Sequence, residues 1–157
     1  MPETIFSQSE IEYLLSQRIA RIATASAATS DDGSKFVFQP DVVPVGFDYD
    51  GGYFYVSGIN IIKSKKYKNI LKNKKVAVVV DDSKSADSWG PRGIRIYGDA
   101  DVVTRHGGYM EQTGHSEHMY IRIRPNKKWS WGIDERVFSD GKFNVKRAQG
   151  DVGESVP

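Results

Sequence analysis

A chain of 157 residues with 39% hydrophobic and 27% charged side chains suits a single globular domain with a sizeable core, and excludes a disordered or fibrous protein. It has no cysteine, which rules out disulfides, thiolate metal sites and cysteine nucleophiles, and its net charge of +2 permits nucleic-acid binding without arguing for it. "MPETIFSQSE" has neither a basic start nor an apolar run, and no apolar stretch approaches the ~20 residues that span a bilayer, so a cytoplasmic protein without a membrane partner is expected.

"SQSEIEYLLSQ" (7–17) predicts a short helix. Ser7 and Glu10 have capping-box spacing, Ile5 or Phe6 can staple back onto the first turn, and Ile11, Leu14 and Leu15 share a face. "RIARIATASAA" (18–28) then alternates as a strand does, "SDDGS" (30–34) turns, and "FVFQPDVVPVGFDYD" (36–50) is a long β-rich run. Pro40 and Pro44 within it call for bends or a sheet edge. After the "DGG" turn (50–52) comes the strand "YFYVSG" (53–58). A lysine-rich segment follows, with Tyr67, Ile70 and Leu71 at helical spacing. "VAVVVDD" (76–82) reads as a buried strand and "SKSADSWGPRG" (83–93) as a loop. "IRIYGDADVV" (94–103) and "MYIRIRP" (119–125) alternate, and "KWSWGI" (128–133) closes the sheet. About six strands, two or three helices and tight turns argue for a mainly β, α+β domain built as a closed or partly closed antiparallel barrel. Residues 1–133 form that domain, and 134–157 read as a largely irregular extension whose last ten residues are disordered.

Chemistry is concentrated in "KSKKYKNILKNKK" (63–75), which holds seven lysines and no acid. Such a run is ordinarily a solvated helix face. Its start, however, puts Ser64, Lys65 and Lys66 in a first helical turn just after a strand and a glycine-containing loop. Free N–H groups and the positive dipole end favour phosphate there. Nucleic acid is disfavoured because Tyr67, the run's one aromatic, sits on the expected core face. A membrane-surface helix would need a broader apolar face.

His106, His115 and His118, with Glu111 or Glu117, match no strong zinc spacing, so no metal is expected, and a haem ligand still less. Asp81 and Asp82 read as solvated turn residues rather than an acid–base pair. Trp89, Trp129 and Trp131 lie among polar and basic residues. They suit either the core or the flank of a ligand or subunit interface.

Five stretches carry a family resemblance: "FSQSEIEYLLSQRIARIATAS", "DVVPVGFDYDGGYFYV", "KSKKYKNILKNKKVAVVVDD", "PRGIRIYGDADVV" and "YIRIRPNKKWSWGI". In order and spacing the chain resembles the pyridoxamine 5′-phosphate oxidase-like split-barrel flavoproteins over about residues 5–133, most closely the branch that uses coenzyme F420. The resemblance implies an antiparallel, Greek-key-like split β-barrel with short flanking helices. It also implies a homodimer with two cofactor sites at the subunit interface, and an oxidoreductase passing hydride to or from a small organic substrate.

Carried over by position, Ser64, Lys65 and Lys66 match the family's phosphate-holding Ser-Arg-Lys, with lysine replacing arginine at 65. Val43, Pro44 and Val45 match the strand running along the ring system, and Val56 and Ser57 the strand end that also touches the cofactor. Arg92 lies near the position reaching in from the partner subunit, and Trp131 matches a cofactor-flanking tryptophan. Two departures point away from pyridoxamine phosphate oxidation itself: a longer loop between Ser57 and Ser64, and no C-terminal Arg-x-His-Asp-Arg. FMN is the alternative cofactor, since it shares F420's phosphate-bearing ribityl chain. A non-catalytic flavin, deazaflavin or haem carrier is the alternative role. No proton donor stands out among Tyr97, Tyr120 and water.

Overall fold

The computed structural model describes residues 4–83 and 90–150. Five longer strands and one short one form the body: β1 (Ile19–Thr29), β2 (Phe36–Tyr49), the short β3 (Phe54–Val56), β4 (Lys75–Ser83), β5 (Pro91–His106) and β6 (Glu117–Trp131). They pair antiparallel in the order β3-β2-β1-β4-β5-β6, and β3 returns to β6 through Phe54↔Ile123 and Val56↔Ile121. The result is a closed six-stranded barrel with short flanking helices, the split barrel that the resemblance implies. Closure leaves few free strand edges.

The core follows from strand periodicity. Ile22, Val45, Phe47, Phe54, Val56, Val78, Val80, Ile94, Ile96, Ile121 and Ile123 all point inward and are buried. Phe6 closes one end, its ring edge-on to Tyr49 and Phe54 at 5.6 and 6.0 Å.

Both prolines of β2 fall at residues 36–46, where the strand has β1 on one side and no β3 on the other. A missing N–H costs least on such an edge. The two stretches read as separate strands at 119–125 and 128–133 are one strand, β6. A register shift opposite Tyr97 and Gly98 leaves Asn126 unpaired, so the Pro125–Asn126 break is a β-bulge rather than a turn.

Helix α1 (Gln8–Ser16) has the expected capping box: Glu10 N–H donates to Ser7 Oγ (3.2 Å) and Ser7 N–H to Glu10 Oε1 (2.8 Å). Its buried residues are Glu10, Tyr13 and Leu14; of the expected Ile11, Leu14 and Leu15, Leu14 is in the core and Ile11 packs partly buried against it, but Leu15 is exposed. An ion pair turns it: Lys128 of β6 donates to both Glu10 oxygens at 2.7 and 2.5 Å inside the barrel wall. Helix α2 (Lys65–Lys72) is rotated for a similar reason. Asn69 Nδ2 donates to Thr24 Oγ1 of β1 (2.9 Å), burying Asn69 and Ile70 and leaving Leu71 63% exposed.

Residues 134–150, expected to be irregular, contain short strands. β7 (Phe138–Ser139) and β8 (Lys142–Phe143) form a hairpin, and β9 (Lys146–Gln149) pairs with β6 from Lys127↔Gln149 to Ser130↔Lys146. Two to four residues are too few to carry a periodic signal. Residues 84–89 and 151–157, including most of the expected loop and most of the expected disordered end, lie outside the described residues. Among the described residues no helix is long and apolar enough to cross a membrane.

Candidate functional site

The lysine turn is built from its cap outward. Ser64 is the N-cap of α2, its Oγ accepting from Tyr67 N–H at 3.3 Å and donating to Ile61 O at 2.5 Å. Lys65 is exposed, whereas Lys66 lies half-buried along the loop after β3. A methyl group on Gly58 would sit 3.7 Å from Lys66 Nζ, so the ammonium reaches back over that loop. Burial pushes its pKa down, and the charge of Asp41 on β2 pulls the other way. Among the described residues no carboxylate lies within ion-pairing distance of Lys66. A half-buried cation at a helix N-terminus, short of an anion, suits a phosphate.

The neighbouring strand ends offer backbone rather than side chains. Val45 and Val56 are in the core, Val43 packs against it, and Pro44 faces outward. Because residues 36–46 of β2 pair with β1 alone, alternate N–H and C=O groups there point to an open edge. Ser57 is fully engaged: its Oγ donates to Met119 O and its N–H to Tyr109 Oη, both at 2.5 Å.

Tyr109 at this place escaped the sequence reading, and His118 was weighed there only as a metal or haem ligand. Tyr109 starts a 3-10 turn (Tyr109–Thr113) between β5 and β6. Its ring lies against Gly46, where a methyl would come within 2.8 Å of the ring, and its hydroxyl donates to Ser57 O at 3.0 Å. His118 Nε2 is 3.0 Å from Gly58 O. Together they pin the β3 exit beside Lys66. The one sequence signal for Tyr109 is the Gly107–Gly108 pair before it, both at positive φ (75° and 81°), which lets the chain fold back.

Arg92 and Trp131 stand together elsewhere on the barrel. Arg92 makes a fork to Asp82 (2.6 and 2.9 Å) and lies 4.7 Å over the Tyr13 ring. The Arg92 hydrogen bonds hold the Asp82 carboxyl below the usual carboxylate range, and burial, then the bond to Asp82, pushes the Tyr13 hydroxyl up. Trp131 pairs with Gly93, where a side chain would meet its ring at 2.6 Å. Among the described residues no hydrogen bond, ion pair or ring contact joins Arg92 or Trp131 to the Ser64–Lys66 turn within one chain.

Trp131 also lines a pocket of about 320 Å³ with Arg95, Trp129, Phe143, Val145 and Arg147. The Arg95 guanidinium lies 3.9 Å over Trp129, and Tyr97 meets the same indole edge-on at 4.8 Å. Trp89 lies outside the described residues. Asp81 pairs with Arg21 (2.5 Å), and His106 with Glu117 (3.3 Å). Among the described residues no three His, Asp or Glu side chains are grouped to hold a metal ion.

Apart from Arg21, which is paired with Asp81, the outer face of β1 from Ile19 to Ala25 and of β2 from Phe38 to Pro44 is apolar. Ala23 lies opposite Val42 and Ala25 opposite Pro40. Ile19, Phe38 and Val42 on this face are 55%, 66% and 63% exposed.

Residues 8–139 match the family model described as pyridoxamine 5′-phosphate oxidase. The chain is 34% identical over 131 residues to the 5a,11a-dehydrotetracycline/5a,11a-dehydrooxytetracycline reductase of Streptomyces rimosus subsp. rimosus, a match spanning 82% of this chain and 84% of that protein. In fold it is similar to a FAD-binding protein from Mesorhizobium loti (TM-score 0.53, 21% identity, 80% of this chain and 93% of that one). It is likewise similar to an F420 reductase (TM-score 0.51, 23% identity, 82% and 98%).

Proposed function

The chain belongs to the pyridoxamine 5′-phosphate oxidase family, and from that membership we propose that it is an oxidoreductase that uses coenzyme F420 to reduce a small conjugated organic substrate at a homodimer interface. The observation that carries this reading is Lys66 in the first turn of α2, a half-buried ammonium without a carboxylate partner among the described residues. Lys65, Lys66 and the free N–H groups of that turn would hold the cofactor phosphate, and the open edge of β2 at Val43–Val45 would offer its backbone groups to the ring system. F420 and FMN share the phosphate. The further lysines at 68, 72, 74 and 75 suit the additional polyglutamate tail of F420. When bound, F420 supplies a two-electron hydride donor. The 34%-identical relative is itself named a 5a,11a-dehydrotetracycline/5a,11a-dehydrooxytetracycline reductase, which supports reduction as the direction.

The protein's part is binding, orientation and proton supply. Arg92 and Trp131 reach the cofactor from the partner subunit in this reading, since neither touches the lysine turn of its own chain. Tyr120 is no free acid: its hydroxyl is held by Met110 N–H (3.0 Å) and Gly107 O (3.2 Å). Tyr97, part-exposed beside Trp129, is the tyrosine this reading assigns as proton donor, with water as the alternative. The apolar face of Ile19, Phe38 and Val42 is the surface the second copy covers.

Parallel fluorescence titrations with F420 and FMN test the cofactor. Tighter binding of F420, weakened about tenfold or more in Lys65→Ala/Lys66→Ala, is expected; preference for FMN moves the protein to the flavin branch, and binding of neither sinks the reading. Sedimentation tests the assembly: a dimer is expected, and Phe38→Glu/Val42→Glu should give monomers that have lost cofactor affinity.

A further inference from the structure

The pocket beside Trp131 is made by three neighbouring strands and the C-terminal segment. Trp129 on β6 lies opposite Arg95 on β5 and opposite Arg147 on β9. Directly paired residues share a face of the sheet, so an arginine, a tryptophan and an arginine stand in a row. Trp131, two residues on, lies on the same face. Phe143 and Val145 complete the lining, enclosing about 320 Å³, the low end of the range that takes a small organic ligand.

The two guanidinium groups differ from others on the barrel. Arg92, Arg105 and Arg122 each meet an aspartate within 3.3 Å and also lie over an aromatic ring. Arg95 has the ring, Trp129, but among the described residues neither Arg95 nor Arg147 has a carboxylate partner. Two uncompensated planar cations and two indoles converge on one concavity. Indole faces favour flat rings by stacking, and guanidinium forks favour planar, delocalised negative charge.

We propose that this pocket is the substrate-recognition site and that it takes a flat aromatic or polycyclic anion, a carboxylate or enolate conjugated to its ring system. The assignment rests on the oxidoreductase reading above for the word substrate, but not for the anion. Half of the lining residues come from the extension after residue 134, so recognition is carried by the segment that lies beyond most of the family match.

Quenching of tryptophan fluorescence in the full-length protein tests it, with anthracene-2-carboxylate as probe and the neutral anthracene-2-carboxamide as control, each with and without saturating F420. The carboxylate should bind about tenfold more tightly than the amide, the effect expected of a charge-assisted bond. Arg95→Gln and Arg147→Gln should each remove most of that preference, leave amide binding and F420 affinity as they were, and keep the native melting temperature. Equal binding of the two probes, or an undiminished preference in both variants, overturns the proposal. Displacement of the carboxylate by F420 overturns it too, because the pocket would then belong to the cofactor. Failure of F420 to bind while the anion preference persists counts against the cofactor reading and supports the pocket.

Discussion

Lys128 and Glu10 form the most deeply buried ion pair described in the molecule, with side chains 5% and 0% exposed. The carboxylate is fully subscribed: it accepts from Lys128 at both oxygens, from Ser7 N–H at the helix cap, and from the Ser130 hydroxyl. Losing the cation alone would strand a charge in the barrel wall. Lys128→Met should therefore lower stability by about 3–5 kcal/mol, and Glu10→Leu/Lys128→Met should restore part of that loss, both read from urea unfolding. At this scale the sequence was legible only where partners are near in the chain. Ser7 and Glu10 are three apart, and that cap could be read from spacing, as could the start of α2 at Ser64, though not that Ser64 caps it through Tyr67 N–H. Glu10 with Lys128 and Ser57 with Tyr109 are separated by 118 and 52 residues, and no local pattern announces them.

Among the elements, the strands declared themselves and the helix rotations did not. Alternation fixes which strand residues face inward, because the side-chain period is two and only two faces exist. A short helix has more settings, and polar partners chose between them: Asn69 with Thr24 for α2, Glu10 with Lys128 for α1. The long β5 and β6 could be aligned by pattern only as far as the bulge at Asn126, past which the register slips by one. Packing between these two strands also has a tight point. At Gly93 an added methyl would meet Trp131 at 2.6 Å and the Val80 carbonyl, a backbone atom, at 2.9 Å. Gly93→Ala is expected to cost about 1–3 kcal/mol by overpacking. It should also displace the Trp131 indole, visible as a shift in its emission.

Over the whole molecule, the carboxylates that tie distant parts together set its response to acid. Hydrogen bonds from Arg92 hold Asp82 low, joining β4 to β5, and the Ser7 hydroxyl does the same for Asp134, joining α1 to the segment after β6. Their folded values lie below 3.8, so at low pH the unfolded chain takes up protons first. Stability from these contacts is then fully present above the unfolded value and is lost as pH falls through the folded ones. Melting temperature should be flat above about pH 5 and drop below about pH 4, with a smaller drop in Asp82→Asn, whose contribution is already gone.

Strand β9 has four residues and, among the described residues, one neighbour and no second strand outside it. The barrel strands are locked by closure, whereas β9 can detach and leave all six in place, so its opening free energy lies far below that of global unfolding. Arg147 leaves with it. The proposed anion pocket is thus coupled to a local equilibrium: ligand and strand hold each other in place, and affinity there is set by how often the strand is closed.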